Sequence, residues 1–159
     1  MGCGEVANYG HIPAILETPG LELQSIYDPN PLTLQKTQER YRIPCAFTET
    51  DRFFSSGLDA VTITSPAPVH HQNVMEAAHH RLPVLCEKPL ATNRIAAQEM
   101  LAAMQQAQAS LCCLVFFGRG DGAEENPCCS EKELDRCRRV TEDQINQIKK
   151  DYDAGNLNK

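Results

Sequence analysis

Strand-like and helix-like segments alternate along this chain, and that alternation constrains the fold more than any other feature. Residues 60–64 and 83–86 are short apolar runs, the first of them β-branched, of the kind found in buried parallel strands. A helix-forming stretch, residues 69–80, separates them. Because parallel strands need crossover helices between them, the pattern predicts an α/β fold with a doubly wound parallel sheet.

The other predicted elements continue the alternation. Thr92 is expected to cap the helix that follows it, in which apolar side chains recur at helical spacing. Pro13 is expected to bend or interrupt the first helix. The remaining predicted strands are residues 21–28, 46–48 and 110–117, and the remaining predicted helices are residues 6–16, 32–41 and 51–56.

Length and composition indicate one folded domain followed by a tail. The 159 residues suffice for a single core. Composition turns polar after residue 118, so we predict a domain at 1–118 and a polar loop with one helix at 119–159. The net charge of −6 and the absence of a basic stripe argue against nucleic-acid binding. No run approaches the roughly 20 apolar residues of a membrane helix.

The eight cysteines and the N-terminus bear on the compartment. The first residues have neither the basic start nor the apolar run of a secretory signal, so we expect a cytoplasmic protein with reduced thiols. Adjacent cysteines such as Cys128 and Cys129 chelate one ion poorly, and we predict no metal site. Zinc bound by the tail is the alternative.

A glycine-rich loop opens the chain and fits the pattern G-x-G-x-x-A. In such loops the first glycine permits a tight turn and the second lets backbone approach a diphosphate. A small third residue lets the helix pack closely on the sheet, and the helix N-terminus attracts phosphate. Glycine turns are common, so the motif needs support from other residues. The loop residues are Gly2, Cys3, Gly4, Glu5, Val6 and Ala7.

Asp28 supplies part of that support. It closes the next predicted strand, where an acidic side chain can accept hydrogen bonds from the ribose hydroxyls of a dinucleotide. The alternative is a carboxylate that only caps a turn with Pro29 and Asn30. No Arg or Lys follows at once to bind a 2′-phosphate, so NAD is favoured over NADP.

Two polar clusters follow neighbouring predicted strands, at the edge where α/β sheets place ligands. The first is residues 64–71, in which His70 could face a ligand, and the second is residues 86–92. Lys88 could hold a cofactor or protonate a substrate oxygen, and partial burial would favour the second task. The alternative is a solvated lysine beside Glu87 in an ordinary loop.

Four blocks in this order resemble the N-terminal domain of the glucose–fructose oxidoreductase / inositol dehydrogenase (Gfo/Idh/MocA) family. The resemblance covers about the first 118 residues and resumes weakly at 153–159. It implies a Rossmann-like fold and an NAD(P)-dependent oxidoreductase acting on sugars, polyols or related carbonyl compounds. The blocks are GCGEVANYGHIPAI (2–15), IYDPN (26–30), GLDAVTITSPAPVHHQNVMEAA (57–78) and PVLCEKPLATN (83–93).

The resemblance also implies roles for particular residues. Lys88 would contact both cofactor and substrate and is the predicted catalytic residue, and the Lys88–Pro89 bond would be cis. Arg119 resembles an arginine that follows the sixth strand of the family. The implied cofactor-binding residues are the loop residues Gly2, Cys3, Gly4, Glu5, Val6 and Ala7, together with Asp28, Thr64, Ser65, Pro66, His70, Glu87, Lys88 and Pro89.

The chain also departs from the family pattern. The first strand should precede Gly2, where only Met1 stands, and a second, substrate-binding domain should follow the tail. We therefore expect the cofactor-binding part of a longer dehydrogenase, which could form a homo-oligomer when complete. A genuinely short, degenerate domain is the second possibility. The alternative function is a non-catalytic nucleotide-binding or interaction protein.

Overall fold

A computed structural model of the chain describes residues 1–114. Within that range, five strands of three residues each form two parallel sheets, with the orders β1-β2 and β3-β4-β5. This arrangement confirms the predicted α/β class. The strands are β1 (Ser25–Tyr27), β2 (Cys45–Phe47), β3 (Val61–Ile63), β4 (Val84–Cys86) and β5 (Leu111–Cys113).

The backbone of Met1 and Gly2 joins the two sheets. The N–H of Gly2 donates to the carbonyl of Tyr27 at 2.8 Å, and the N–H of Thr64 donates to the carbonyl of Met1 at 2.8 Å. The amino group of Met1 also donates to the carbonyl of Thr62 at 2.6 Å. Met1 and Gly2 therefore lie between β1 and β3, where the first strand of a doubly wound sheet belongs.

Helical segments connect the strands. The first is a π-helical turn followed by α1, which begins directly before Pro13; proline lacks the N–H that an uninterrupted α-helix would need there. The segments are the π-turn (Ala7–His11), α1 (Ile12–Glu17), α2 (Pro31–Tyr41), α3 (Thr50–Phe54), a 3₁₀ turn (Ala67–Val69), α4 (His70–His79) and α5 (Arg94–Gln106).

Two of the sequence predictions need correction. The strand expected over residues 21–28 is confined to β1, because Gln24 bonds locally to the carbonyl of Glu22 at 3.1 Å before pairing begins. Asn93, not Thr92, caps α5: its side-chain oxygen accepts the N–H of Ala96 at 2.9 Å. The end of the strand expected at 110–117, the domain boundary and the tail lie outside the described residues.

Buried apolar side chains anchor both parts of the sheet. Beside β1, Cys3 packs in a cluster with Ile26, Leu34 and Ile43, so the N-terminal loop is tied into the core. Beside β3 and β4, the fully buried residues include Ile63, Val74, Met100 and Met104. Within residues 1–114, no helix is long and apolar enough to cross a membrane.

Candidate functional site

Gly2 is required by the fold itself. Its φ is +91°, a conformation that side-chain-bearing residues rarely adopt. A Cβ added there would lie 2.7 Å from the backbone nitrogen of Ser65, which is closer than real contacts allow. The backbone of the N-terminal loop can therefore approach the segment that follows β3 closely only because residue 2 has no side chain.

Gly4 differs from Gly2 in both respects. A Cβ added at Gly4 would meet nothing within 4 Å, and its φ is not in the left-handed region. No contact within the described chain explains a glycine at this exposed position. A loop that must let a diphosphate approach its backbone does explain one, and the open space fits that group.

Asn8 orients the peptides of the loop. Its side-chain amide donates to the carbonyl of Cys3 at 2.8 Å and to the carbonyl of Gly4 at 3.0 Å. In a trans peptide the N–H points opposite to the C=O. The N–H groups of Gly4 and Glu5 therefore point away from Asn8, and helical backbone begins at Glu5. Ala7 is buried, as close packing of this helical segment requires.

Asp28 lies directly beside the loop. One carboxylate oxygen accepts the N–H of Cys3 at 2.8 Å, and the other accepts the N–H of Asn30 at 2.8 Å. A carboxylate offers about four acceptor positions, so two remain for hydroxyl groups. Burial raises the pKa of the Cys3 thiol to about 11, and the charge of Asp28 adds to that rise. The Cys3 thiol is therefore neutral and inert at physiological pH.

The segment after β3 holds the other side of the loop. The hydroxyl of Thr64 lies 3.0 Å from the carbonyl of Met1 and 2.9 Å from that of Gly2, and donates to both. The hydroxyl oxygen of Ser65 accepts the amide of Asn73 at 2.9 Å. Thr64 thus bonds the loop directly, and Ser65 ties the same segment to α4.

His70 is buried and joins two segments. Its Nε2 lies 2.6 Å from the carbonyl oxygen of Ser65, and its Nδ1 lies 3.0 Å from the carbonyl oxygen of Pro89. The side chain is only 1% exposed, although its position in the first helical turn suggested that it could face a ligand. The imidazole contacts the backbone of both segments instead, so any contribution to binding is made through them.

Glu87, Lys88 and Pro89 follow β4 on the same edge. The Lys88–Pro89 bond is cis, as the resemblance implied. One carboxylate oxygen of Glu87 lies 2.8 Å from Nε2 of His11, and the other accepts the N–H of Lys88 at 3.0 Å. Lys88 is exposed, so the partial burial that would favour proton donation to a substrate is not found.

The hydrogen bonds form one continuous set along this edge. They run from Asp28 through Cys3 and the loop to Thr64, and next to Thr64 the His70 ring lies between the carbonyls of Ser65 and Pro89, of which a neutral imidazole donates to one. The predicted loop, acid and lysine segments are therefore brought together. Their roles as cofactor contacts stay predictions, including those of the exposed loop residues Glu5 and Val6 and of Pro66, which precedes the 3₁₀ turn.

A cleft of about 330 Å³ adjoins the loop on its helical side. Lys36 and Arg40, one turn apart on α2, line this cleft with two positively charged side chains. Neither residue follows Asp28 directly, so the local pattern after the strand does not reveal them. The cleft is lined by Cys3, Gly4, Glu5, Asn8, Tyr9, Thr33, Lys36, Thr37 and Arg40.

Comparison with models of protein families shows to which family the chain belongs. Residues 1–115 match the Gfo/Idh/MocA model, which is described as an oxidoreductase family with an NAD-binding Rossmann fold. The chain belongs to this family. Within it, the described residues correspond to the NAD(P)-binding Rossmann domain, which confirms the family and the fold that the four sequence blocks indicated.

Particular members of the Gfo/Idh/MocA family show how far the similarity extends. An inositol 2-dehydrogenase from Rubrobacter xylanophilus is 32% identical over 103 residues, or 65% of this chain and 30% of that protein. The WlbA dehydrogenase from Bordetella pertussis, solved with NADH and UDP-GlcNAcA, is 28% identical with a TM-score of 0.67. That alignment covers 71% of this chain and 33% of the dehydrogenase.

A 3-ketoreductase variant from Actinomadura kijaniata, KijD10, was solved with TDP-benzene and NADP. It is 25% identical, has a TM-score of 0.65, and covers 70% of this chain and 34% of its own. Both NADH and NADP therefore occur among the structural neighbours. The chain spans about a third of the length of the curated relatives it matches.

Sequence reasoning missed two polar residues of this Gfo/Idh/MocA domain, Asn8 and His11. Both lie inside the first sequence block, but neither belongs to the G-x-G-x-x-A pattern. The side-chain amide of Asn8 donates to carbonyls four and five residues before it. That short spacing at a helix start was an available signal. The imidazole of His11 contacts the carboxylate of Glu87, 76 residues away, and no local sequence pattern could have predicted that partner.

Proposed function

We propose that this NAD(P)-binding domain serves an oxidoreductase that transfers hydride to or from a sugar, polyol or related carbonyl compound. The enzyme would include a second, substrate-binding domain. The named activities of similar proteins, inositol 2-dehydrogenase and 3-ketoreductase, support this substrate class. Homo-oligomer assembly and a cytoplasmic location remain predictions.

The contact between Cys3 and Asp28 carries the proposal. The Asp28 carboxylate, which we assign to the adenosine ribose, lies 2.8 Å from the backbone nitrogen of Cys3, and this supports a single dinucleotide spanning both. The cleft-side position of Gly4, open to a ligand's phosphates, agrees with it. NAD remains the favoured cofactor because Asp28 would repel a 2′-phosphate, although Lys36 and Arg40 stand on the neighbouring helix.

Each part of the edge has a chemical task in the proposed reaction. The N–H groups at the start of the loop helix bind the diphosphate, and Asp28 accepts hydrogen bonds from the adenosine ribose. The bound nicotinamide supplies or receives the hydride. In the reducing direction, the ammonium group of Lys88 can donate a proton to the carbonyl oxygen of the substrate as hydride reaches its carbon.

Titration of the purified chain with NADH, followed by fluorescence, tests the binding assignment. Gly4→Val should weaken NADH binding at least about 100-fold, because its side chain occupies the diphosphate position. Asp28→Ala should weaken it about tenfold through loss of charge-assisted hydrogen bonds. Lys88→Ala should also weaken it about tenfold, because Lys88 is predicted to contact the cofactor as well as the substrate.

Gly10→Ala is the matched control for Gly4→Val. A Cβ at Gly10 also meets nothing within 4 Å, and Gly10 lies in the π-turn that follows the loop, six residues after Gly4. We expect its NADH affinity to equal that of the wild type. Unchanged affinity in Gly4→Val would refute the loop assignment, and NADH binding without any turnover by the complete protein would favour the non-catalytic alternative.

A further inference from the structure

His11 and Glu87 form a short, sheltered contact between two parts of the site. Nε2 of His11 lies 2.8 Å from Oε1 of Glu87, and the two side chains are 11% and 13% exposed. A contact so far removed from solvent is screened less than a surface ion pair. It joins the helical segment that begins at the glycine loop to the segment that carries Lys88.

The backbone around His11 departs from a regular helix. His11 ends the π-turn, and α1 starts at the next residue. A π-turn is wider than an α-turn, and such turns are frequent at functional sites. The departure therefore changes the direction of the helix face just where His11 meets Glu87.

Glu87 is fixed at three points. Its backbone N–H donates to the carbonyl of Ile63 at 2.9 Å, and its side chain binds both His11 and the N–H of Lys88. Burial alone would raise the pKa of Glu87, but the hydrogen bonds from His11 and Lys88 outweigh burial and lower it. The carboxylate is therefore charged at neutral pH and binds the imidazole strongly.

We propose that His11 is a positioning residue that holds the Glu87–Lys88 segment against the loop helix and so places Lys88 relative to the bound dinucleotide. This inference rests on the proposed function, because it needs a dinucleotide along this edge. His11 acts through Glu87 and is not assigned a contact with the cofactor. Without His11, one oxygen of a sheltered carboxylate loses its partner, and the segment loses its link to the loop helix.

A double-mutant cycle on NADH affinity tests the proposal in the full chain. His11→Leu should weaken binding about tenfold, a loss typical of one charge-assisted hydrogen bond. His11→Gln, whose amide can still donate to Glu87, should restore affinity to within about threefold of wild type. Glu87→Gln should cost much less in the His11→Leu background than in the wild type, because coupled residues are non-additive.

His71→Leu provides a matched control. His71 binds Glu99 at 2.9 Å with the same chemistry, but the side chains are 38% and 57% exposed and join α4 to α5. Its NADH affinity should equal that of the wild type. A purely structural role for His11 would lower the thermal stability of both His11→Leu and His11→Gln. The effects of His11→Leu and Glu87→Gln on NADH affinity would then be additive.

The possible results distinguish failure of the positioning role of His11 from failure of the proposed function. Wild-type affinity in His11→Leu, or strict additivity in the cycle, overturns the positioning role while leaving dinucleotide binding intact. If His11→Leu does not fold, His11→Ala, which also removes the imidazole, takes its place in the cycle with Glu87→Gln. Absence of NADH binding by the wild-type chain refutes the proposed function, and this inference with it.

Discussion

The two halves of the proposed binding edge are held together in different ways. The phosphate edge, residues 1–8 with Asp28, is fixed mainly by backbone: N–H groups of Gly2 and Cys3 bond to the strand end and its acid. The lysine edge, residues 64–66 and 87–89, is fixed by imidazole side chains from His11 and His70. Substitutions should therefore lower the free energy of unfolding at the lysine edge when they remove an imidazole. At the phosphate edge they should do so mainly when they replace a glycine.

Gly2→Ala should give the largest effect in the described part of the chain. It combines a positive φ with a Cβ 2.7 Å from the backbone of Ser65. We expect a loss of about 3 kcal/mol in the free energy of unfolding, measured by urea denaturation. Gly4→Ala, with open space around its Cβ, should change stability by less than about 1 kcal/mol. Equal stability of the two variants would contradict the backbone-built phosphate edge.

The same contrast explains how far sequence alone could lead. The loop, Asp28 and Lys88 were found because glycine motifs and strand ends have a local pattern. The partners of His11 and His70 were not found, because they arise from chain segments that meet only after folding. The cap at Asn93 was misplaced by one residue, since Thr92 and Asn93 both favour that role and only backbone geometry decides between them.

His70→Phe should give the next largest effect, on the lysine edge. Phenylalanine keeps a buried ring but removes both nitrogens, leaving the carbonyls of Ser65 and Pro89 without this partner. Unfolding free energy should fall by about 2 kcal/mol, the usual cost of buried unpaired groups. His80→Phe is the control, because exposed His80 makes ring contacts with Phe54 and His79 that a phenyl ring can also make. A stable His70→Phe would mean that the imidazole acts by packing alone.

Asn8→Ala should have a smaller effect, and it tests a side chain that orients the carbonyls of the phosphate edge. The loop carbonyls of Cys3 and Gly4 would lose the amide that orients them. Because those carbonyls are close to solvent, we expect about 1 kcal/mol of lost stability and about threefold weaker NADH binding. Gln35→Ala removes an amide whose bond to Glu39 is exposed, and should change neither quantity. Equal NADH affinity in Asn8→Ala and wild type would show that the backbone needs no such support.

The smallest effect should be a pH dependence confined to the lysine edge. The pKa of Glu87 is lowered from its ordinary 4.5, since the bonds from His11 and Lys88 outweigh burial, which alone would raise it. A carboxylate with a lowered pKa stabilises the fold fully above its unfolded value and loses that contribution as pH falls through the folded value. The difference in unfolding free energy between wild type and Glu87→Gln should therefore shrink as the pH falls below about 5. A difference that grows below about pH 5 would mean that Glu87 is protonated more readily in the folded chain than in the unfolded one, and that His11 does not hold its carboxylate.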